Sequence, residues 1–192
     1  MDFLKCGVDE AGRGPLAGPV VIAAVIFDIR KRISGVKDSK KLTENQREDL
    51  YYKILDQCKE FSVSIIHNCV IDKINILKAT MAGMENCLNL LDCLKIKILI
   101  DGNYFKFDNN RHVKYNFETI IKGDEKIFEI SCASIIAKVT RDRLMKDFHE
   151  KYPGYKLNSN KGYPTKEHIK AVKLLGTTEI HRLSFCKKFL AI

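Results

Sequence analysis

The chain opens with an apolar run, Phe3, Leu4, Cys6 and Val8, that ends in the acidic pair Asp9-Glu10 and then Gly-Arg-Gly-Pro. This reads as a strand that stops at a bend, because Gly12, Gly14 and Pro15 suit a turn and disfavour a continued ladder. Val20 to Phe27 is an unbroken run rich in β-branched residues, the pattern of a strand buried on both faces, and with the first run it suggests a hairpin-like start. The charged stretch 28–41 exits to solvent. Thr43-Glu44-Asn45-Gln46 has the form of a capping box and predicts a helix to about Cys58, with Leu50, Ile54 and Leu55 on one face. Phe61, Val63, Ile65 and His67 alternate as a third strand. A helical pattern covers about 71–93, and Lys95 to Ile100 is a short apolar strand closed by Asp101-Gly102. Another strand is expected around 112–117, followed by one long helix from about 125 to 150, in which Ser131, Ala133, Ser134 and Ala137 permit close packing. Tyr152-Pro153-Gly154 ends it, a basic loop covers 156–163, and a helix from about Thr165 to Leu175 stops at Gly176.

A strand-rich first half with crossover helices predicts an α/β fold, a mixed sheet flanked by helices. Ligands of open α/β sheets bind beyond the carboxyl ends of the strands, which gives Asp101 a functional location. Asp9 and Glu10 also stand at a strand end, but side chains alternate across a strand. Both acids serve one site only if the ladder stops and the backbone bends. A bend also bares backbone N–H groups. Carboxylates beside such groups and Arg13 suit a site that gathers hard cations and phosphate, since magnesium takes oxygen ligands while amides and guanidinium take phosphoryl oxygens.

The stretch Asp9-Glu10-Ala11-Gly12-Arg13-Gly14-Pro15-Leu16-Ala17-Gly18-Pro19-Val20 resembles the opening of type 2 ribonuclease H (ribonuclease HII). Further stretches are similar to that family in the same order. They are Lys37-Asp38-Ser39-Lys40-Lys41-Leu42, Ile100-Asp101-Gly102-Asn103, Gly123-Asp124, residues 131–142, and Asn160-Lys161-Gly162-Tyr163-Pro164-Thr165. The resemblance implies a ribonuclease H-like mixed β-sheet flanked by helices in a single catalytic domain over 1–192. About 1–150 would form the sheet core and long helix, and about 151–192 a small C-terminal helical extension that binds substrate.

It also implies that Asp9, Glu10, Asp101 and Asp124 hold two divalent cations, Mg²⁺ or Mn²⁺, whose charge balances four converging carboxylates. Asp124 has a competitor in Asp142. Asp142 lies at i+4 from Lys138 and i−4 from Lys146, the spacing of an exposed ion-pair ladder. A continuous helix would separate the two aspartates by roughly 26 Å, so only one can join the site, and Gly123-Asp124, ahead of the helix, is the choice. By resemblance, Gly12, Arg13 and Gly14 read the substrate 2′-hydroxyl, Ser39, Lys40, Lys41 and Lys138 contact phosphate, and Tyr163 stacks beside the scissile junction. Arg141 shares the choice between phosphate contact and surface charge, and His168 is unassigned. One departure stands out: the family usually has Gly and an aromatic after Tyr155, where this chain has Lys156-Leu157.

The implied activity is metal-dependent endonucleolytic hydrolysis 5′ to a ribonucleotide in DNA duplexes or RNA/DNA hybrids, giving 3′-hydroxyl and 5′-phosphate ends, in ribonucleotide repair and RNA primer removal. Other readings fit less well. Gly12 to Ala17 matches a loose dinucleotide fingerprint, but Pro19 and a strand follow where a helix should open. Type 3 ribonuclease H carries a large N-terminal extension, for which an acidic motif at residue 9 leaves no room. A non-catalytic binding module would lack part of the acidic set.

Composition adds the partner class. The 192 residues carry 33 Lys+Arg against 24 Asp+Glu, a net charge of +9 that suits a polyanion such as nucleic acid. Seven cysteines without a C-x-x-C pair read as reduced core thiols, and the five histidines share no zinc-like spacing with them. No apolar run is long enough to span a bilayer, so a soluble cytoplasmic monomer is expected. Lys187 to Ile192 is too short to read as a clamp-binding motif, which leaves replication partners unknown.

Overall fold

Strand β1 (Leu4–Ala11) pairs antiparallel with β2 (Val20–Asp28), with Val8 opposite Ala24 and Asp9 opposite Ala23. The computed structural model describes residues 3–37, 39–107 and 115–190; Asp38, 112–114 of the strand expected at 112–117, and Ala191-Ile192 lie outside them. Helix α1 (Glu44–Gln57) starts at the capping box, where Thr43 Oγ1 accepts from the Gln46 N–H and the Gln46 side chain accepts from the Thr43 N–H. Edge strand β3 (Glu60–Ile66) pairs with β2. Its apolar alternation is only partly covered: Val63 packs on the α1 side, whereas Phe61 and Ile65 are exposed and Ser62 and Ser64 take the buried positions opposite.

The helix expected over about 71–93 is two helices, α2 (Asn68–Ile74) and α3 (Ile76–Asn89). Asn75 separates them with φ of 68°, and its side chain caps α3 by accepting from the Lys78 N–H. Next come β4 (Lys97–Asp101), parallel to β1, and β5 (Phe117–Ile120), parallel to β4. Among the described residues the last strand is β5, which begins at the end of the expected 112–117 span. Sheet order is β3-β2-β1-β4-β5.

The expected single long helix is also broken. A short α4 (Gly123–Lys126) is separated by extended Ile127 from α5 (Phe128–Lys151). Ser131 Oγ bonds the carbonyls of Asp124 and Ile127 and so ties the two pieces together. On one sheet face Cys6, Val8, Ile22, Ile98 and Ile100 pack against α2 and α3; on the other Ala23, Val25 and Phe27 pack against α1 and α5. Gly7 permits this second layer. A Cβ there would stand 2.1 Å from the Glu129 backbone, so any side chain would push α5 off β1.

After α5 the chain forms α6 (Leu157–Asn160), α7 (Lys166–Leu175), capped by Thr165 and ended at Gly176, and α8 (Leu183–Cys186). The expected basic loop 156–163 therefore contains a helical turn, framed by Lys156 and Lys161 at φ of 51° and 50°. Lys156 occupies the left-handed conformation that glycine adopts without penalty, and Leu157 is fully buried with Ala17, Met145, Tyr155, Val172 and Ile180. The departure at 156–157 thus keeps the turn and fills the core. Lys156→Gly should relieve about 1 kcal/mol of backbone strain, offset in part by the freer unfolded chain. We expect a melting temperature higher by ~1–2 °C in calorimetry; a fall would show that the lysine is unstrained.

Candidate active site

The pairing of β1 with β4 ends at Val8–Ile100, whereas pairing with β2 runs on through Glu10–Ile22 to Ala11–Val21. The ladder therefore does not stop at the acidic pair, as the sequence suggested. It stops only on the β4 side, and the bend comes after Ala11. A cleft of about 230 Å³ opens at this sheet end, lined by Asp9, Glu10, Gly12, Arg13, Gly14, Ser39, Lys40, Asp101, Ser134, Lys138 and Tyr163, together with Ala11. Asp124 and Lys41 are not in its lining but adjoin it. Asp124 Oδ2 stands 3.0 Å from Lys40 Nζ, Asp101 Oδ1 accepts from the Gly123 N–H at 2.7 Å, and Lys41 reaches Glu125 at 3.4 Å.

Three of the acids are strained electrostatically. Burial, then Glu10 and Asp101, push the Asp9 carboxyl well above the usual carboxylate range, although Ser134 and the Glu10 N–H donate to it. Glu10 is raised by burial despite Arg13, 3.3 Å away, and Asp101 by burial and the neighbouring Asp124 against the Gly123 N–H. Oxygen donors whose negative charge is this poorly compensated suit a hard cation. Among the described residues no three His, Cys, Asp or Glu side chains form a ready-made coordination group.

Asp142 is buried rather than on an exposed ladder: Lys138 Nζ is 2.7 Å away and Arg47 3.9 Å, while Lys146 pairs with Glu44. Ser39 is buried as well, its hydroxyl 2.9 Å from that of Ser134.

Beyond the acids, residues 12–19 rest on two buried arginines. Arg141 donates to the carbonyls of Pro19, Lys161 and Ala17, and Arg182 to those of Gly18, Arg13 and Gly12. Arg141 is thus a prop beneath the loop, neither a phosphate contact nor a surface charge. Gly12, at φ of 98°, leaves no room for a Cβ, which would lie 2.0 Å from Arg141 Nε. Burial, then Arg141, pull Arg182 down to about 9, and burial lowers Arg141 as well. Sequence reasoning missed Arg182 and Ser134. The one available signal for Arg182 was a lone cation between Ile180 and the apolar Leu183 and Phe185.

The family comparison decides the identity. The family model for ribonuclease HII matches residues 6–188. This chain belongs to the ribonuclease HII family. It is 48% identical over 187 residues to the ribonuclease HII of Caldicellulosiruptor bescii, covering 97% of this chain and 88% of the relative. In structure it is similar to ribonuclease H2 from Pyrococcus horikoshii, with a TM-score of 0.77, 32% identity, and 97% and 96% of the two chains covered. The ribonuclease HII of an Archaeoglobus fulgidus PCNA complex aligns with a TM-score of 0.72 at 26% identity over 94% of this chain and 93% of that one. As a ribonuclease HII, the protein is an endoribonuclease acting on RNA/DNA hybrids.

Two buried histidines, His168 and His181, support the loop that carries Tyr163. The Thr178 N–H donates to His181 Nδ1, so His181 carries its proton on Nε2 and donates to His168 Nε2 at 3.2 Å. His168 then donates from Nδ1 to the Tyr163 carbonyl at 3.0 Å. Burial lowers His168, and burial with His168 lowers His181 to about 4. Because the unfolded imidazole takes its proton near 6.5 and the folded His181 only near 4, this residue stabilises the fold above 6.5 and loses that contribution as pH falls towards 4. The loss should approach about 3 kcal/mol. Urea midpoints should fall more steeply with acid in the parent than in His181→Gln; parallel curves would contradict the assignment.

Proposed function

We propose that this ribonuclease HII hydrolyses the phosphodiester 5′ to a ribonucleotide in DNA duplexes or hybrids, leaving 3′-hydroxyl and 5′-phosphate ends, with Asp9, Glu10, Asp101 and Asp124 holding two divalent cations, Mg²⁺ or Mn²⁺. The observation that carries this reading is the cleft that gathers Asp9, Glu10 and Asp101 beside the arginine-propped glycine loop, with all three carboxyls raised by burial and Asp9 raised further by the other two. Magnesium keeps several waters and takes one or two carboxylates plus phosphate, which fits acids spread around a cleft better than a closed cage would. The chemistry such a pair supplies is charge stabilisation of the attacking and leaving oxygens.

The chain's own residues do the rest. Gly12, Arg13 and Gly14 receive the 2′-hydroxyl, and Ser39, Lys40, Lys41 and Lys138 stand where the backbone phosphates would run. Tyr163, 41% exposed, offers its ring to the junction. Residues of about 151–192 form the substrate-binding extension of a single domain. Among the described residues no helix is long and apolar enough to cross a membrane. We place the protein in the cytoplasm as a monomer engaged in ribonucleotide repair and primer removal, and the PCNA complex of the Archaeoglobus relative makes a replication clamp a partner to test.

The deciding assay incubates the purified protein with duplex DNA carrying one ribonucleotide, with Mg²⁺, with Mn²⁺ and with chelator. Cutting 5′ to the ribonucleotide only when metal is present is expected. Cutting in chelator, or none in either metal, would defeat the proposal.

A further inference from the structure

Arg182 is fully buried, 170 residues in sequence from the loop it holds, and its Nη2 and Nη1 donate to the Gly12 and Arg13 carbonyls at 2.7 and 2.9 Å. Among the described residues the backbone has no cis peptide bonds, and in a trans peptide the C=O and the following N–H point in opposite directions. With the Gly12 and Arg13 carbonyls turned inward to Arg182, the Arg13 and Gly14 N–H groups turn outward, towards the cleft that both residues line. Among the described residues neither N–H donates to another protein group. A buried guanidinium is a costly way to fill space, since apolar side chains of similar volume often do so at no loss of stability. What it adds here is a fixed orientation of two peptide planes, with their dipoles aligned so that the N–H ends face away from Arg182, on the side of the cleft.

We propose that Arg182 is the positioning residue that sets ribonucleotide selectivity, by holding the Gly12–Arg13 and Arg13–Gly14 peptide groups with their N–H bonds towards the substrate 2′-hydroxyl. This rests on the reading that the Gly12-Arg13-Gly14 loop receives that hydroxyl. Arg141 supports the same loop from Ala17, Pro19 and Lys161 but touches neither of these two carbonyls. Lysine at 182 would keep the charge, yet a single ammonium on a flexible stem does not reproduce the planar fork that reaches two carbonyls at once.

The test uses the full chain as parent, Arg182→Lys and Arg182→Met, with folding checked by circular dichroism and melting. Cleavage kinetics in Mg²⁺ and binding in chelator are measured on matched duplexes carrying one ribonucleotide or its deoxy counterpart. In the variants the ribo-to-deoxy ratio of kcat/KM should fall by roughly 10- to 100-fold, as expected when peptide donors lose their fixed aim. Affinity for the ribonucleotide duplex should fall more than affinity for the all-DNA duplex, whose grip is by phosphate contacts. A folded Arg182→Lys protein with the parent's ratio would overturn the proposal and leave the hydroxyl-reading loop intact. A parent that does not distinguish the two duplexes would remove that reading and this proposal together. Failure of both variants to fold would make Arg182 a structural residue and also overturn it.

Discussion

Asp9→Asn should lower turnover on a ribonucleotide-containing duplex by roughly 10³-fold or more, because metal-borne stabilisation of transition-state charge is worth several kcal/mol and each 1.4 kcal/mol is tenfold. The same substitution should raise the melting temperature of the metal-free protein. Asn keeps an acceptor for the Glu10 N–H and the Ser134 hydroxyl while removing a charge that burial, Glu10 and Asp101 all disfavour. A gain of ~2–4 °C corresponds to about 1 kcal/mol in a domain of this size. Mg²⁺ should then stabilise the parent against heat and do so much less in the variant. Asp101→Asn should behave alike, and Asp124→Asn should cost far more turnover than Asp142→Asn, whose residue serves Lys138 and Arg47. Parent-like turnover in Asp9→Asn at saturating metal would take Asp9 out of the site, and a reversed ranking of the other pair would exchange Asp124 for Asp142.

An all-DNA duplex should resist cleavage by up to ~10⁴-fold relative to one with a single ribonucleotide, since a site built to bond a hydroxyl leaves its polar groups unpaired when the hydroxyl is missing. Tyr163→Ala should reduce cutting at an isolated ribonucleotide more than cutting within continuous hybrid. Its ring lies beside Gly14, 3.7 Å from where a Cβ would stand, and its carbonyl is held by His168, so the aromatic face is aimed by the backbone and not by chance packing. Efficient cutting of all-DNA duplex would end the ribonuclease reading. An equal loss on the two ribonucleotide substrates would end the role given to Tyr163.

Periodicity made most of the fold legible. Continuous β-branched runs marked β2, the Thr43 box marked the start of α1, and Asp101-Gly102 marked the end of β4. Breaks were less visible, because Asn75 and Ile127 interrupt helices without proline or glycine at the break: one by a left-handed Asn, the other by an extended apolar residue. The acids at 9, 10 and 101 come together because β1 and β4 run parallel and their pairing ends at Val8–Ile100, just before both acidic stretches. The burial of Asp142 and Ser39 was not readable, since it depends on Lys138, Arg47 and Ser134 arriving from other elements. Arg182 is the extreme case: the hydrogen bonds its guanidinium donates all go to backbone oxygens, and backbone oxygens have no sequence signature.

The stitching of residues 12–18 to residues 180–182 has a bearing on how the protein folds. Arg182 N–H bonds the Leu16 carbonyl, Gly18 N–H bonds the Ile180 carbonyl, and both must close a loop that spans most of the chain. Closure of so long a loop carries an entropic cost that neighbouring strand contacts do not face, and non-local contacts of this kind form late. The sheet with α1 to α5 has its own two apolar layers, so it is able to assemble while the glycine loop is still unformed. Refolding should therefore pass through a species with native helix and sheet signals but no nuclease activity, and loss of the last dozen residues should arrest the protein in that inactive form.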